Sequence, residues 1–292
     1  CLPQYHPAVQ AGQAAMFDHL SKGRFIMGVG PGGLASDFEL FGVMDKDRME
    51  MMEEALEMMI ELWTTEPPYK MHGKHWTIDM KEWTHHDIKL GYVPKPYQEP
   101  YPPVAISAMS PHSGSLKFAG SKGYIPVSAN FVATWSVETH WPAYCEGAKA
   151  GGITPNPEKW RVARSIYVAD TDQEAEEFVK SPGGAYDYYY EYLFQIFERS
   201  DYKAPFVANP NDDPAKLTPQ GIRDACTIYG SPETVANKIL ELRKRIGDFG
   251  TVLYAAHDWQ DKGAMKKSMA MFAEEVMPRV NSKLDNKQAS AG

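Results

Sequence analysis

The sequence predicts an α/β protein whose strands and helices alternate around a parallel sheet. Strand-like apolar runs at 24–29, 104–108, 124–129, 160–168 and 251–256 are separated by stretches of helical periodicity, the mark of βα units. The chain has 292 residues and is 43% hydrophobic, so it can bury one large core. That length admits either a single α/β barrel or two smaller domains.

The elements follow in order. After Tyr5-His6-Pro7 an apolar helical run extends to Leu20. The strand at 24–29 then leads into Gly30-Pro31-Gly32-Gly33, a turn of bare backbone that a flat or phosphorylated ligand can approach closely. In the helix expected at 45–63, Met49, Met52, Leu56, Met59, Ile60 and Trp63 recur at three- and four-residue steps, a stripe that reads as core packing against a sheet. Residues 67–80 read as an excursion with a small hairpin around His72-Gly73-Lys74. Helices are expected after the next two strands, at 111–119 and up to 149, and Thr171-Asp172-Gln173-Glu174 opens another with a capping-box pattern. From 181 to 230 the simple alternation stops. Tyr186, Tyr188, Tyr189, Tyr190, Tyr192, Phe194 and Phe197 predict an aromatic helix, and the Pro-rich stretch 204–219 predicts a long loop. Segment 181–229 is therefore expected to be a lid or a structural cover. A final amphipathic helix is expected at 263–280, with a frayed polar end at 282–292.

Bulk properties exclude several classes of function. The net charge of -8, with no long Lys/Arg cluster, argues against nucleic acid or an anionic membrane as the main partner. No window approaches the roughly 18 apolar residues of a spanning helix, and the start lacks the layout of a secretory signal. Cys1, Cys145 and Cys226 show no metal-type spacing and cannot all pair, which fits a reducing, cytoplasmic compartment. His72-x-x-His75 with His85-His86-Asp87 has enough ligands for zinc or iron, but Lys70, Lys74 and Lys81 around it read as solvated turns. There is no G-x-S-x-G elbow and no Walker A motif, and Gly28-Val29-Gly30-Pro31-Gly32-Gly33 places proline inside what would have to be a dinucleotide turn.

The order Leu2-Pro3, His6-Pro7, Asp18, Ser21-Lys22-Gly23-Arg24-Phe25, Gly28, Asp37-Phe38 and Phe41-Gly42 resembles the bacterial luciferase family of flavin-dependent monooxygenases. Weaker echoes continue in Gly230-Ser231-Pro232-Glu233-Thr234-Val235 and Phe272-Ala273-Glu274-Glu275-Val276-Met277-Pro278, so the resemblance covers nearly all of the chain except about residues 180–225. It implies one (β/α)8 barrel of TIM type over residues 1–292. In that family the segment from Leu2-Pro3 to His6-Pro7 closes the third strand, so two βα units and most of a third strand are expected to be missing ahead of Cys1.

The resemblance also implies chemistry: reduced FMN from a separate flavin reductase, attack of dioxygen to give a C4a-peroxyflavin, and oxygenation of a small organic substrate. Two alternatives remain open, a deazaflavin-dependent hydride-transfer oxidoreductase and a non-catalytic flavin-binding subunit. A homodimer is implied for the full-length form. Luciferase carries a cysteine and an arginine where this chain has Gly30 and Pro31, so light emission is not expected.

In a barrel of parallel strands the site lies at the strands' C-terminal ends. Those ends give Tyr5 and His6, residues 30–33, Ser110-Pro111-His112-Ser113-Gly114-Ser115, Asn130, Thr171, and His257 with Asp258. Ser110, His112, Ser113 and Ser115 are the candidate phosphate binders, because hydroxyls and free amides at a helix start hold anions without a lysine. The resemblance adds Arg48 as a phosphate-pairing guanidinium. Gly30 and Asn130 complete the expected cofactor set, and His6 and His257 are the candidate catalytic groups. Ala163 and Ser165 should face the interior where sulfonate-oxidising relatives place arginine and histidine. An apolar substrate is therefore expected rather than an anionic one.

Overall fold

The computed structural model describes residues 1–257 and 260–291, with side chains described through Asp285. The chain forms two compact units, one of Cys1–Ser107 and one from Ala108 onward.

In the first unit, the expected strand end at Leu2-Pro3 is instead a 3-10 turn, Leu2–Gln4. Pro3 has no N–H to give a ladder, and Tyr5 N–H closes the turn on Leu2 O at 3.1 Å. Helix α1 (Pro7–Ser21) begins with proline at its first position and stops at Lys22 in the left-handed region. The next strand, β1 (Met27–Val29), is shorter than the apolar run suggested. The carbonyl of Phe25, ahead of it, accepts from the Gln98 side chain at 2.8 Å. A short helix α2 (Ala35–Leu40) and the long α3 (Arg48–Thr64) follow. Asp47 caps α3 by accepting from Glu50 N–H at 3.0 Å, so the helix starts three residues later than its periodicity suggested. The predicted Met stripe is core: Met52, Leu56, Met59 and Trp63 are buried, and Trp63 Nε1 donates to Ala11 O on α1. The expected hairpin consists of β2 (Lys70–His72) and β3 (Thr77–Asp79), paired antiparallel. Strand β4 (Val104–Ala108) runs parallel to β1, with Met27 opposite Val104.

The second unit contains α4 (Gly114–Lys122), β5 (Ile125–Ser128), α5 (Thr134–Glu138), α6 (His140–Ala150) and β6 (Arg161–Val168). These are followed by α7 (Asp172–Val179), α8 (Ala185–Arg199), α9 (Pro219–Cys226), β7 (Thr227–Gly230), α10 (Pro232–Ile246), β8 (Thr251–Ala255), α11 (Lys262–Met271), a π-helical turn at Phe272–Val276, and α12 (Met277–Ala291). Strand β6 organises this unit. It pairs in parallel with β5 and β8 through its first half and with β7 through its second. One apolar cluster joins Trp160, Val162, Ile166 and Val168 to Val235, Ile239 and Leu242 of α10. Another joins Tyr167 to Tyr186, Tyr190, Phe197 and Phe206.

Three expectations need correction here. Segment 181–229 does hold the aromatic helix, now α8, but also α9 and part of β7. The proline-rich stretch is broken by 3-10 turns at Ala204–Phe206 and Pro214–Lys216. The chain end expected to fray continues as α12 to Ala291. No helix among the described residues is long and apolar enough to cross a membrane. Cys226 is buried and Cys145 half-buried, but Cys1 is exposed.

Candidate active site

Strand β6 carries two polar residues that are fully buried, Arg164 and Ser165, and buried polar groups need partners. Ser165 has three. Asn130 Nδ2, just past β5, donates to Ser165 Oγ at 3.1 Å, and Tyr190 OH, from α8, donates to it at 2.6 Å. His257 Nε2, just past β8, lies 2.6 Å from the same oxygen. A hydroxyl accepts twice and donates once. With both acceptor positions used, the Ser165 proton goes to His257 Nε2, and His257 carries its own proton on Nδ1. Thr227 Oγ1 in turn donates to Tyr190 OH at 3.2 Å, so the chain of protons has one direction.

Burial agrees with a neutral ring. Desolvation pushes the His257 imidazole down to about 4, so it is neutral at neutral pH. Tyr189 covers it in a stack, with Tyr186 against its edge, and Tyr189 OH also accepts from Asn130 Nδ2 at 3.1 Å. With Nε2 accepting from Ser165, this neutral imidazole walled by phenols has only its Nδ1–H to offer a partner. It does not shuttle protons near pH 7.

A second cluster lies around the Ser110–Ser115 turn. The carbonyl of Ser110 can only accept, so the His140 Nε2 3.1 Å away carries the proton. His140 Nδ1 is then an acceptor for Ser128 O–H at 2.9 Å, and Ser128 Oγ accepts from Trp160 Nε1 at 3.0 Å. Burial pushes His140 down to about 4, consistent with this neutral form. His112, at φ 52°, donates its backbone N–H to Thr139 Oγ1 at 2.7 Å. The turn is thus tied to α6 at two points.

At its far side Ser113 is the N-cap of α4. Its Oγ makes no capping hydrogen bond and instead meets Ser115 Oγ at 2.8 Å. A side chain at Gly114 would meet nothing within 4 Å, so the space over this helix start is open. Two serine hydroxyls, first-turn amides and an open approach fit a phosphate group. Helix α4 is held there by backbone contact with α6, because a Cβ on Gly147 would lie 1.8 Å from Lys117 O.

In the first unit, Gly30 follows β1, and a Cβ there would meet only Ser107 Oγ, at 3.9 Å. Gly32 has φ 88° and a Cβ on it would strike the Phe38 ring at 2.8 Å, so this turn requires glycine. Arg48 lies over Phe38, 3.9 Å from the ring centroid, and its Nη1 donates to Met44 O at 3.1 Å and Val43 O at 3.4 Å. His6 is exposed and caps α1, its Nδ1 accepting from Ala8 N–H at 3.2 Å.

Among the predicted residues, the structure joins Asn130 to His257 through Ser165, and groups Ser110, His112, Ser113 and Ser115 on one turn. Asp258 lies outside the described residues. Of the four histidines in the alternative metal constellation, three go to separate partners, His72 to Asp79, His75 to Glu50 and His86 to Tyr92, and His85 sits in a backbone bridge with Leu90. Sequence reasoning did not assign site roles to Ser165, Tyr189, Tyr190, Ser128 or His140. Only the tyrosine-rich run of α8 carried a signal.

Comparison with known proteins adds the following. The family described as luciferase-like monooxygenase matches residues 1–248. The chain is 29% identical to 2,5-diketocamphane 1,2-monooxygenase 2 of Pseudomonas putida, covering 96% of this chain and 78% of that protein. It is also 29% identical to limonene 1,2-monooxygenase of Rhodococcus erythropolis, covering 97% and 68% respectively. Among solved structures, the oxygenating constituent of 3,6-diketocamphane monooxygenase from P. putida, a type II Baeyer-Villiger monooxygenase in complex with FMN, matches with a TM-score of 0.82 at 28% identity, over 96% of this chain and 77% of that one.

Proposed function

The chain belongs to the luciferase-like monooxygenase family, and from that premise we propose that it is the oxygenating component of a two-component, FMN-dependent monooxygenase acting on a small apolar substrate. The observation that carries the cofactor is the start of α4, where Ser113 and Ser115 stand beside first-turn amides under open space. In this reading Ser110, His112, Ser113 and Ser115 hold the FMN phosphate and Asn130 faces the rest of the cofactor. Reduced FMN, when bound, supplies the electrons that activate dioxygen.

The protein's own part is to bind, orient and exclude water. Asn130, held by Ser165 and Tyr189, presents a fixed amide. His257 stays neutral and orients through hydrogen bonding. Tyr186, Tyr189 and Tyr190 of α8 cover it, which supports a lid role for 181–229. His6, beside Trp76 with ring centroids 5.8 Å apart, is the candidate proton donor in the first unit. The aromatic, uncharged surroundings of His257 favour an apolar substrate, and the diketocamphane and limonene named for relatives support that class. The strands belong to a TIM-type barrel in this reading, the chain pairs as a homodimer, and a flavin reductase delivers reduced FMN.

The test is anaerobic titration with reduced FMN, then oxygen uptake with a flavin reductase and a panel of cyclic ketones and terpenes. Tight FMN binding with substrate-dependent product is expected. Ser113→Asp, which places a carboxylate at the phosphate cradle, should weaken FMN binding by about tenfold or more. Preference for a deazaflavin with hydride transfer and no oxygen consumption would overturn the reading, as would FMN binding without turnover of any substrate.

A further inference from the structure

Arg164 is not used by any step above. It lies in the middle of β6, 2% exposed, and lines a cavity of about 360 Å³ whose rim includes Thr134, Lys238 and Arg245. Its Nη1 donates to the neighbouring Ala163 O at 3.1 Å, and its Nη2 is buried with no hydrogen-bond partner among the described residues. A guanidinium offers five donors in a planar fork and does not neutralise readily, so a buried one needs an anion or several acceptors.

Among the described residues no carboxylate pairs with Arg164. Cys226 lies nearby, but burial pushes its thiol up to about 12, so it is protonated and uncharged. Tyr190 is likewise held well above the usual phenol range. Two carboxylates stand at the cavity, both exposed. Asp224 pairs with Arg223 at 3.0 Å, and Glu241 lies on α10 between Lys238 and Arg245, which line the same cavity. The Lys238 ammonium donates one hydrogen bond to Tyr229 O at 2.8 Å and keeps its charge at the cavity. Arg245 itself pairs with Glu138. Desolvation also bears on Arg164, whose charged form is disfavoured by burial.

We propose that this cavity binds a small oxyanion, a carboxylate or phosphate group, gripped at its floor by the Arg164 fork and attracted at its mouth by Lys238. The volume suits a small metabolite-sized acid or an inorganic anion. A carboxylate or phosphate matches the guanidinium fork with two parallel hydrogen bonds, which a lone water cannot do. The site is separate from the α4 cradle and does not depend on the FMN reading. Arg164 adjoins Ser165 in the chain, so occupancy bears on the strand position that carries the His257 network.

The experiment titrates the full chain with sodium phosphate and, separately, sodium acetate at constant ionic strength, read by calorimetry and thermal melting. Saturable one-site binding by at least one anion, with a rise in Tm, is expected. Preference between the two identifies the ligand as phosphate-like or carboxylate-like. Arg164→Met should abolish this binding. If that variant does not fold, Lys238→Glu on the exposed rim carries the test, with affinity expected to fall by about tenfold. Ser113→Asp should leave it unchanged. The proposal is overturned by absence of saturable binding, by binding that survives Lys238→Glu unaltered, or by binding lost in Ser113→Asp instead.

Discussion

Tyr189 lies nearly flat on His257, with ring centroids 4.0 Å apart and planes inclined by 26°. The phenol comes from α8 and the imidazole from the segment after β8, and Asn130 bridges the arrangement by donating to both Tyr189 OH and Ser165 Oγ. An aromatic helix that looked like a cover in the sequence therefore supplies a wall of the candidate site.

Tyr189→Phe keeps the stack and removes both hydrogen bonds with Asn130, one accepted from Nδ2 at 3.1 Å and a longer one donated to Oδ1 at 3.4 Å, so stability should fall by about 1–2 kcal/mol. Tyr189→Ala removes the ring as well, forfeiting a stacking interaction of about 0.5–1.5 kcal/mol beyond the lost buried area. If the tyrosine orients the site, the alanine variant should also release more hydrogen peroxide per product formed, while the phenylalanine variant stays near the parent. Equal product yield in both variants would assign the ring to packing alone. Oxygen uptake measured against product decides this.

Which of these parts the sequence displayed follows from whether their cause is local. Thr171 Oγ1 accepts from Glu174 N–H at 3.1 Å, as the capping-box spacing required, and four of the six stripe residues of α3, Met52, Leu56, Met59 and Trp63, are buried, with Met49 and Ile60 half-buried at its edges. Strand β7 left no such trace. Its four residues have no alternation, and they are a strand because Ser165 to Val168 of β6 lie alongside them. The α4 cradle was readable because serines, glycine and a helix start are adjacent in sequence. Ser165, Tyr190 and His257 are not, and only the folded register of β6 with Thr227 and Ala255 brings their elements together. His140 was silent for the same reason, since its partners Ser110 and Ser128 lie on other elements.

Stability should depend on pH through two histidines. His140 and His257 are each pushed from 6.5 down to about 4 by burial. The unfolded chain takes up protons below about pH 6.5 while the native state resists until about pH 4, so the stabilisation is whole above 6.5 and is lost as pH falls towards 4. Each group can contribute on the order of 3 kcal/mol over that window. Urea unfolding at pH 7.5, 6 and 5 should show the decline, and His257→Gln should flatten it. A stability unchanged from pH 7.5 to 5 would contradict the buried neutral forms.

Gly147→Ala tests how the phosphate cradle is held. A methyl there would meet Lys117 O at 1.8 Å and its carbonyl carbon at 2.6 Å, so α4 and α6 must separate. Overpacking of this kind costs about 1–3 kcal/mol or more. Because Ser113 and Ser115 ride on α4, FMN affinity should fall along with Tm. Gly12, where a side chain would meet nothing within 4 Å, is the control: Gly12→Ala in α1 should be neutral or slightly stabilising.

The proton order through Ser165 can be tested by deleting its hydroxyl. Ser165→Ala leaves Tyr190 OH and Asn130 Nδ2 without an acceptor they now share, and leaves His257 Nε2 without its donor. Each buried group so orphaned costs about 1–3 kcal/mol, and Tm should drop markedly for the loss of one oxygen atom. The imidazole reports the direction of the bond. A serine that donates to Nε2 stabilises the neutral ring, so removing it should raise the His257 titration midpoint from its depressed position. A serine that accepts from Nε2–H would stabilise the charged ring, and its removal would lower the midpoint. Titration of the His257 ring by NMR in parent and variant separates the two, and a downward shift would reverse the tautomer assigned to His257 together with the orienting role built on it.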